Sequence, residues 1–236
     1  MEDSFKEIQS QSLKDLFVRQ IEGLIISGKL KIGERLPAER DIAANMKISR
    51  TIVNSGLIEL AAKGLITIEP RKGTFVNDYR IDGTLTILDS LVNYNGELDE
   101  KLLDSMLQTR YLIEVENAGL AALNRTDEDI SLLRKIIKTE EKIDKSNFQD
   151  VVNIDFQFHH QIAMATKNIV YPLIIKSFEG TYKNLTSKFF RSGDVISQVF
   201  EFHHRLYNSI EEKSADISKN IMREILEHGE KYLKSL

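Results

Sequence analysis

The chain has no cysteine, only three prolines, and no apolar run long enough to span a bilayer. Without cysteine there can be no disulfide, no Cys-ligated zinc and no thiol nucleophile, which fits a reducing, cytoplasmic setting. The opening MEDSFKEIQS is acidic and polar, so it is not expected to be a secretory signal. Low-complexity tracts and obvious internal repeats are also lacking. Positive charge is scarce overall, with 32 Lys/Arg against 36 Asp/Glu and a net charge of −4. That balance speaks against a polyanion partner until it is divided along the chain. Residues 1–80 carry 13 Lys/Arg and 11 Asp/Glu, a net of +2, and the remaining 19 against 25 give −6. Such asymmetry suggests one part that faces an anion and another with a different task.

What is present divides in the same way. At 236 residues, with 42% apolar and 29% charged side chains, the chain can build a small domain and a medium one. Pro37, Pro70 and half of the twelve glycines fall before residue 81, so the early region consists of short, punctuated elements. Leu13, Leu16, Phe17, Ile21, Leu24 and Ile25 follow helical spacing, and Gly28 can end that helix. GKLKIGERLP reads as a connector. The spacing then predicts a helix over 38–46, a corner at Lys47–Ile48, and a helix over 50–62 capped by Ser49. Leu65–Glu69 and Thr74–Asn77 are β-branched strand candidates around a turn at Pro70–Gly73. Three helices and a hairpin predict a winged helix-turn-helix over residues 1–77. DYRIDGT (78–84) reads as a linker, and residues 85–236 as an all-α bundle, with helices near 84–94, 98–123, 126–143, 147–166, 169–190, 194–212 and 214–235. Thr126 and Ser214 are the expected caps of two of these. The fold class is therefore mainly α.

The head carries a readable surface. In a helix-turn-helix the start of the second helix meets the major groove. Arg50 can pair with guanine O6 and N7, while Ser49, Thr51 and the free amides of the helix start can hold a phosphate. Arg40 on the preceding helix can reach the same groove, and Arg71, Lys72 and Gly73 form a basic hairpin tip over the backbone or minor groove. An isolated SRT would be an ordinary capped helix start. Here it follows a helix and a tight corner and precedes a basic hairpin, which makes DNA contact the better reading.

Ile26, Gly28, Leu30 and Gly33, then LPAER, SRT, Gly64–Leu65 and KGTFV, resemble in order and spacing the DNA-binding head of the GntR superfamily of bacterial regulators. The resemblance implies that Arg40, Ser49, Arg50 and Thr51 contact an operator and that the hairpin is the wing around Gly73. Asn54 departs from the pattern, standing where many members carry a further DNA-contacting arginine. Asparagine can pair with adenine or a phosphate but brings no charge.

In the bundle the informative residues are polar groups on apolar stripes. Arg110 lies among Leu103, Met106, Leu107, Ile113 and Ala121, with Glu114 and Asn117. It can pair with Glu114 one turn away, or it can clamp the carboxylate of a small effector. Asp155 and His159 lie one turn apart on the stripe of Phe148, Val151, Val152, Phe158 and Ile162. His203 and His228 lie on the stripes of two later helices. These are metal-ligand types converging from three helices, although Asp155 and His159 could simply bond each other. RYLIEVENAGLAA, DFQFHHQIAMATKN and HHRLYNSI followed by IMREIL resemble the FCD-type effector domain of the FadR-like branch. Metal-containing members use an aspartate, a histidine one turn later and two further histidines. Asp155, His159 and His203 match the first three, and the fourth position falls on Ile225, which cannot bind metal. His228 is the candidate substitute; without it the site has three protein ligands plus water or effector, or is vestigial. The resemblance also implies that Arg110 lines the effector pocket.

The expected protein is thus a homodimeric, cytoplasmic transcriptional regulator, expected as a repressor and without membrane attachment. It would bind a palindromic double-stranded DNA operator under the control of a small organic acid, with a divalent metal (Zn, Ni or Mn) as the candidate cofactor. The alternative is a metal-dependent hydrolase with an accessory winged helix, against which stand the lack of a nucleophile motif and of a separate general base. A third reading, an interaction scaffold, predicts no salt-sensitive DNA binding. A fused PLP-enzyme domain, known among GntR relatives, is not expected at this length.

Overall fold

A computed structural model describes residues 12–93, 100–191 and 195–234, and the chain divides into two compact units, Met1–Glu97 and Leu98–Leu236. In the first unit, α1 (Leu13–Ile26) begins where the Ser12 hydroxyl accepts from the Asp15 amide, and Gly28 follows its end at φ +71°. Helices α2 (Glu39–Met46) and α3 (Arg50–Ala62) are joined through Lys47, held at φ +53°. The Ser49 hydroxyl accepts from the Ile52 amide and closes the start of α3. Strands β1 (Ile66–Glu69) and β2 (Gly73–Val76) pair antiparallel, with Ile66 opposite Val76 and Glu69 opposite Gly73.

The connector before α2 is more ordered than its composition suggests. The Leu36 amide donates to the Thr74 carbonyl and the Val76 amide to the Glu34 carbonyl, so Arg35 stands opposite Phe75 on the free edge of β2. Phe17, Ile21, Ile25, Val53, Leu57, Leu60, Leu65 and Val76 fill the core of this unit.

The expected 78–84 linker and the start of the bundle at 85 differ from what is found. Residues 78–93 form α4 (Tyr79–Asp82), a 3-10 turn (Leu85–Ile87) and α5 (Leu88–Asn93), all within the first unit. Ile87 is buried in the head core with Leu91 packed beside it, and the Thr84 amide donates to the Lys63 carbonyl. The segment folds back because its apolar residues find that core and because Gly64 lets the Asp82 carbonyl pass close over it.

The second unit contains α6 (Glu100–Asn124), α7 (Asp127–Glu140), α8 (Phe148–Ala165), α9 (Tyr171–Ser177), α10 (Glu179–Arg191), α11 (Ile196–Glu211) and α12 (Ala215–Leu233). Thr126 and Asp129 form a reciprocal capping box on α7. Ser214 stands at the N-cap of α12 but makes no side-chain cap bond. The helix expected over 169–190 breaks at Phe178. The Ser177 hydroxyl takes the Ile174 carbonyl, and the break lets Ile175 and Tyr182 both pack on Phe156. The long α6 packs along α8, α11 and α12, which makes it the axis of the interior.

Gly28 and Gly64 share a left-handed backbone, at φ +71° and +75°, but not their surroundings. A Cβ on Gly28 meets nothing, whereas one on Gly64 would lie 1.9 Å from the Asp82 carbonyl oxygen. Gly28→Ala should cost on the order of 1 kcal/mol, the left-handed penalty alone. Gly64→Ala should cost at least about 2 kcal/mol more, because backbone must move. Urea unfolding of the two variants, followed by circular dichroism, tests the difference.

Candidate functional site

The head presents its polar face at the start of α3. Arg50 and Thr51 are exposed, and Arg50 has no ion-pair or hydrogen-bond partner among the described residues. Arg40 is exposed and paired with its neighbour Asp41 at 3.1 Å. Asn54, one turn beyond Arg50, donates to the Glu39 carboxylate of α2 at 3.3 Å, so its amide is held between the two helices. On the hairpin, Lys72 pairs with Glu69 at 2.9 Å. Such solvent-exposed pairs are worth about 0–1 kcal/mol and yield readily to a phosphate.

The hairpin tip has its own geometry. The Lys72 amide donates to the Glu69 carbonyl, closing a turn with Pro70 at its second position and Arg71 at its third. Arg71 has φ +67°, the place usually given to glycine, at a cost of roughly 1 kcal/mol. Gly73, at φ +133°, lets the Arg35 guanidinium lie against the strand: a Cβ there would stand 2.5 Å from Arg35 Nε. Arg35 was not singled out from sequence, since only the edge pairing of residues 34–36 brings it to the tip.

Inside the bundle, Asp155 and His159 from α8 meet His203 from α11. All three are buried and can offer ligand atoms within 4.8 Å of one another. His203 Nε2 lies 3.6 Å from Asp155 Oδ1 and has no hydrogen-bond partner. Its Nδ1 is 2.8 Å from Glu140 Oε1, at the end of α7. His159 Nδ1 is 2.5 Å from Glu114 Oε2. His203 is thus backed by a carboxylate on one nitrogen and left with the other, the arrangement that orients a histidine ligand, whereas His159 Nδ1 lies against Glu114 without a hydrogen bond. The Tyr182 hydroxyl donates to Asp155 Oδ2 at 2.6 Å and fixes the third group.

Arg110 completes the arrangement from α6. Its Nε donates to Glu114 Oε1 at 2.6 Å, and its guanidinium lies 4.4 Å from the centre of the Tyr182 ring. The helical pair considered from sequence is therefore formed. Burial opposes the charge on Arg110, but Glu114 and then Tyr182 outweigh it and raise its pKa. Burial would likewise raise the Glu114 carboxyl, yet Arg110 and then His159 bring it well below the usual carboxylate range. Glu140 is raised, mainly by burial and only partly offset by His203. Burial lowers His203, but Glu140 and then Asp155 overcome it and raise its pKa.

Two small cavities flank Arg110. One, of about 30 Å³, is also lined by Asp155, His159, Tyr182, Ile225 and Gly229. The other, of about 20 Å³, is lined by Met106, Ile113, Glu114 and Tyr182. Each has room for one or two water molecules. Two larger grooves, of about 860 and 850 Å³, lie on the surfaces of the head and the bundle and contain none of these groups.

His228 does not join the cluster. It stands among Phe189, Phe202 and Tyr232, with ring centroids 5.0–5.9 Å away, while Ile225 and Gly229 line the cavity. A residue three positions past Ile225 is turned about 60° around the helix, and that rotation carries His228 away from Asp155. Glu140 was missed from sequence, since it closes a helix on a stretch of charged residues, TEEK, with nothing to set it apart. Among the described residues no carboxylate stands free beside the cluster to act as a general base, because Glu114 and Glu140 both face histidines.

Residues 15–76 match the bacterial regulatory proteins of the gntR family, and residues 105–228 match the FCD domain. The chain is 28% identical over 182 residues to a fatty acid metabolism regulator protein of Shewanella denitrificans, covering 77% of this chain and 74% of that one. The corresponding protein of Shewanella pealeana is 28% identical over 178 residues, covering 75% and 72%. Among solved structures, Lar, which controls expression of the agr system of Listeria monocytogenes, superposes with a TM-score of 0.68 at 14% identity over 97% of this chain and 100% of that one. E. coli McbR/YncC gives 0.54 at 18%, over 96% and 99%. At these identities the structural likeness concerns the fold alone. Both sequence matches fall on regulators and neither on an enzyme, so the hydrolase alternative is set aside. The chain belongs to the GntR family of DNA-binding transcriptional regulators, in the branch that carries an FCD domain behind a winged helix-turn-helix head.

Proposed function

We propose that the protein is a homodimeric repressor acting in the cytoplasm, whose two heads bind adjacent half-sites of a palindrome and whose bundle senses a small organic acid together with a divalent metal. The observation that carries the metal reading is the buried charge. Around two imidazoles lie three carboxylates, Glu114, Asp155 and Glu140, against a single arginine, Arg110. A dication bound to Asp155, His159 and His203 would supply the missing positive charge and use the unpaired nitrogen of His203. The spacing of the three donors suits metal bonds of about 2.1 Å after a small inward shift. Three protein ligands leave coordination positions free, and Ile225 fills none of them.

For the effector, Arg110 is the anion-binding group available. It lies beside the donor cluster, and a carboxylate resting on it would share it with Glu114. The cavities beside it are too small for such an acid without movement of the surrounding helices. Binding would therefore select a different packing of the bundle, which is the requirement for changing the population of DNA-competent dimers. In the head, Arg50 is the base-reading residue, with Arg40, Ser49, Thr51 and Asn54 around it and Arg71, Lys72 and Gly73 at the wing.

Arg50→Ala should reduce discrimination between operator and scrambled duplex by one to two orders of magnitude while non-specific binding falls far less. Operator fragments captured from the genome, then titrated by fluorescence anisotropy, supply the measurement. Unchanged discrimination would sink the contact assignment. For the metal, protein prepared without chelator should hold close to one equivalent per chain by elemental analysis. Asp155→Ala should lose it, and Glu140→Gln should weaken it by about 10–100-fold through His203. Equal metal content in all three proteins would refute the site.

A further inference from the structure

Resting on the DNA-binding reading, we infer that the wing tip is a two-arginine probe, made of Arg35 and Arg71, that selects a minor groove lacking the guanine amino group. Three observations converge on it. Arg71 occupies the left-handed position of the Glu69–Lys72 turn, where glycine would be unstrained, so the tip keeps a cation at a conformational cost. Arg35 reaches the same tip from another segment, because residues 34–36 pair along β2 and because Gly73 leaves room for its guanidinium against the strand. Both side chains are exposed, and neither has an ion-pair or hydrogen-bond partner among the described residues, whereas the third tip cation, Lys72, is held by Glu69.

The chemistry favours the minor groove over the phosphate backbone alone. Guanidinium groups are planar and less strongly hydrated than ammonium groups, so they enter a narrow groove at lower desolvation cost. A·T-rich tracts narrow the minor groove and deepen its negative potential, and inserted arginines read that shape without base-specific hydrogen bonds. Guanine adds an N2 amino group to the groove floor, which an inserted cation meets as an obstacle. The tip would therefore add preference at the flanks of a half-site, outside the bases read by α3.

Three duplex polymers separate the possibilities: poly(dA-dT), poly(dG-dC) and poly(dI-dC). The last presents the major groove of G·C but a minor groove without the amino group. The full-length protein should bind poly(dA-dT) and poly(dI-dC) on the order of fivefold more tightly than poly(dG-dC). Arg35→Gln with Arg71→Gly should bring all three within about twofold, lower the salt slope by up to about two, and melt no lower than the parent. Because poly(dI-dC) and poly(dG-dC) present the same major groove, the ratio between those two reports the minor groove whatever α3 reads. Grouping of poly(dI-dC) with poly(dG-dC), or an unchanged ratio in the double variant, overturns the inference while the DNA-binding reading stands. Failure to bind any of the three overturns both.

Discussion

Burial of unlike charges in unequal number is the constraint on which the rest of the bundle depends. Glu114, Asp155 and Glu140 are each at most 3% exposed, with Arg110 as the one permanent cation among them. An uncompensated carboxylate inside a helical core costs several kcal/mol, so the site must hold protons or a cation. The geometry distributes the tension rather than cancelling it. Arg110 secures Glu114, Glu114 lies against His159, Glu140 orients His203, and Tyr182 holds Asp155. Each donor that points into the centre has a group of another helix against it, and for His203 and Asp155 that contact is a hydrogen bond. The core therefore has to take up positive charge, as protons or as a cation, and helices α6, α7, α8, α10 and α11 are all party to it.

On the proposed reading, that need also makes the same place suited to a sensor. A site with about 30 Å³ of free space and a buried arginine cannot admit an organic anion passively. Its admission, as proposed, would have to move helices already tied together through charged groups. Packed cores change between discrete arrangements more readily than they deform smoothly. By linkage, whatever an effector gains by choosing one arrangement is the most it can transfer to the DNA equilibrium, in either direction.

Periodicity and punctuation made most of the architecture legible. Ser49 before an apolar run, the corner at Lys47 and the turn at Pro70 located α2, α3 and the hairpin to within a residue or two. The i, i+4 spacing of Asp155 and His159 put both inside. What escaped depended on tertiary contact. The 78–93 segment reads as a linker and a first bundle helix until Ile87 is seen in the head core. A single helix over 169–190 satisfied the apolar pattern, yet packing on Phe156 favoured a break at Phe178. His228 shared a stripe with Ile225 on the helical wheel, but a 60° offset is enough to exchange a ligand position for an aromatic layer. Glu140 and Arg35 carry no local signal at all, because each becomes meaningful only through a partner far away in sequence.

The head obeys the opposite rule from the bundle. Its polar groups are exposed and weakly engaged, with Arg40 on Asp41, Asn54 on Glu39 and Lys72 on Glu69. These acidic neighbours compete with phosphate, which reduces indiscriminate attraction to DNA in a chain whose net charge is already negative. A duplex has to offer more than charge to displace them. Arg50, Arg35 and Arg71 have no such competitor among the described residues, so under the proposed contacts the strongest interactions would go to the groups that distinguish one groove from another. Affinity would then be held down where it is unselective and left free where it is selective. A repressor released by an effector, as proposed, would require that balance, since the coupling energy available is modest.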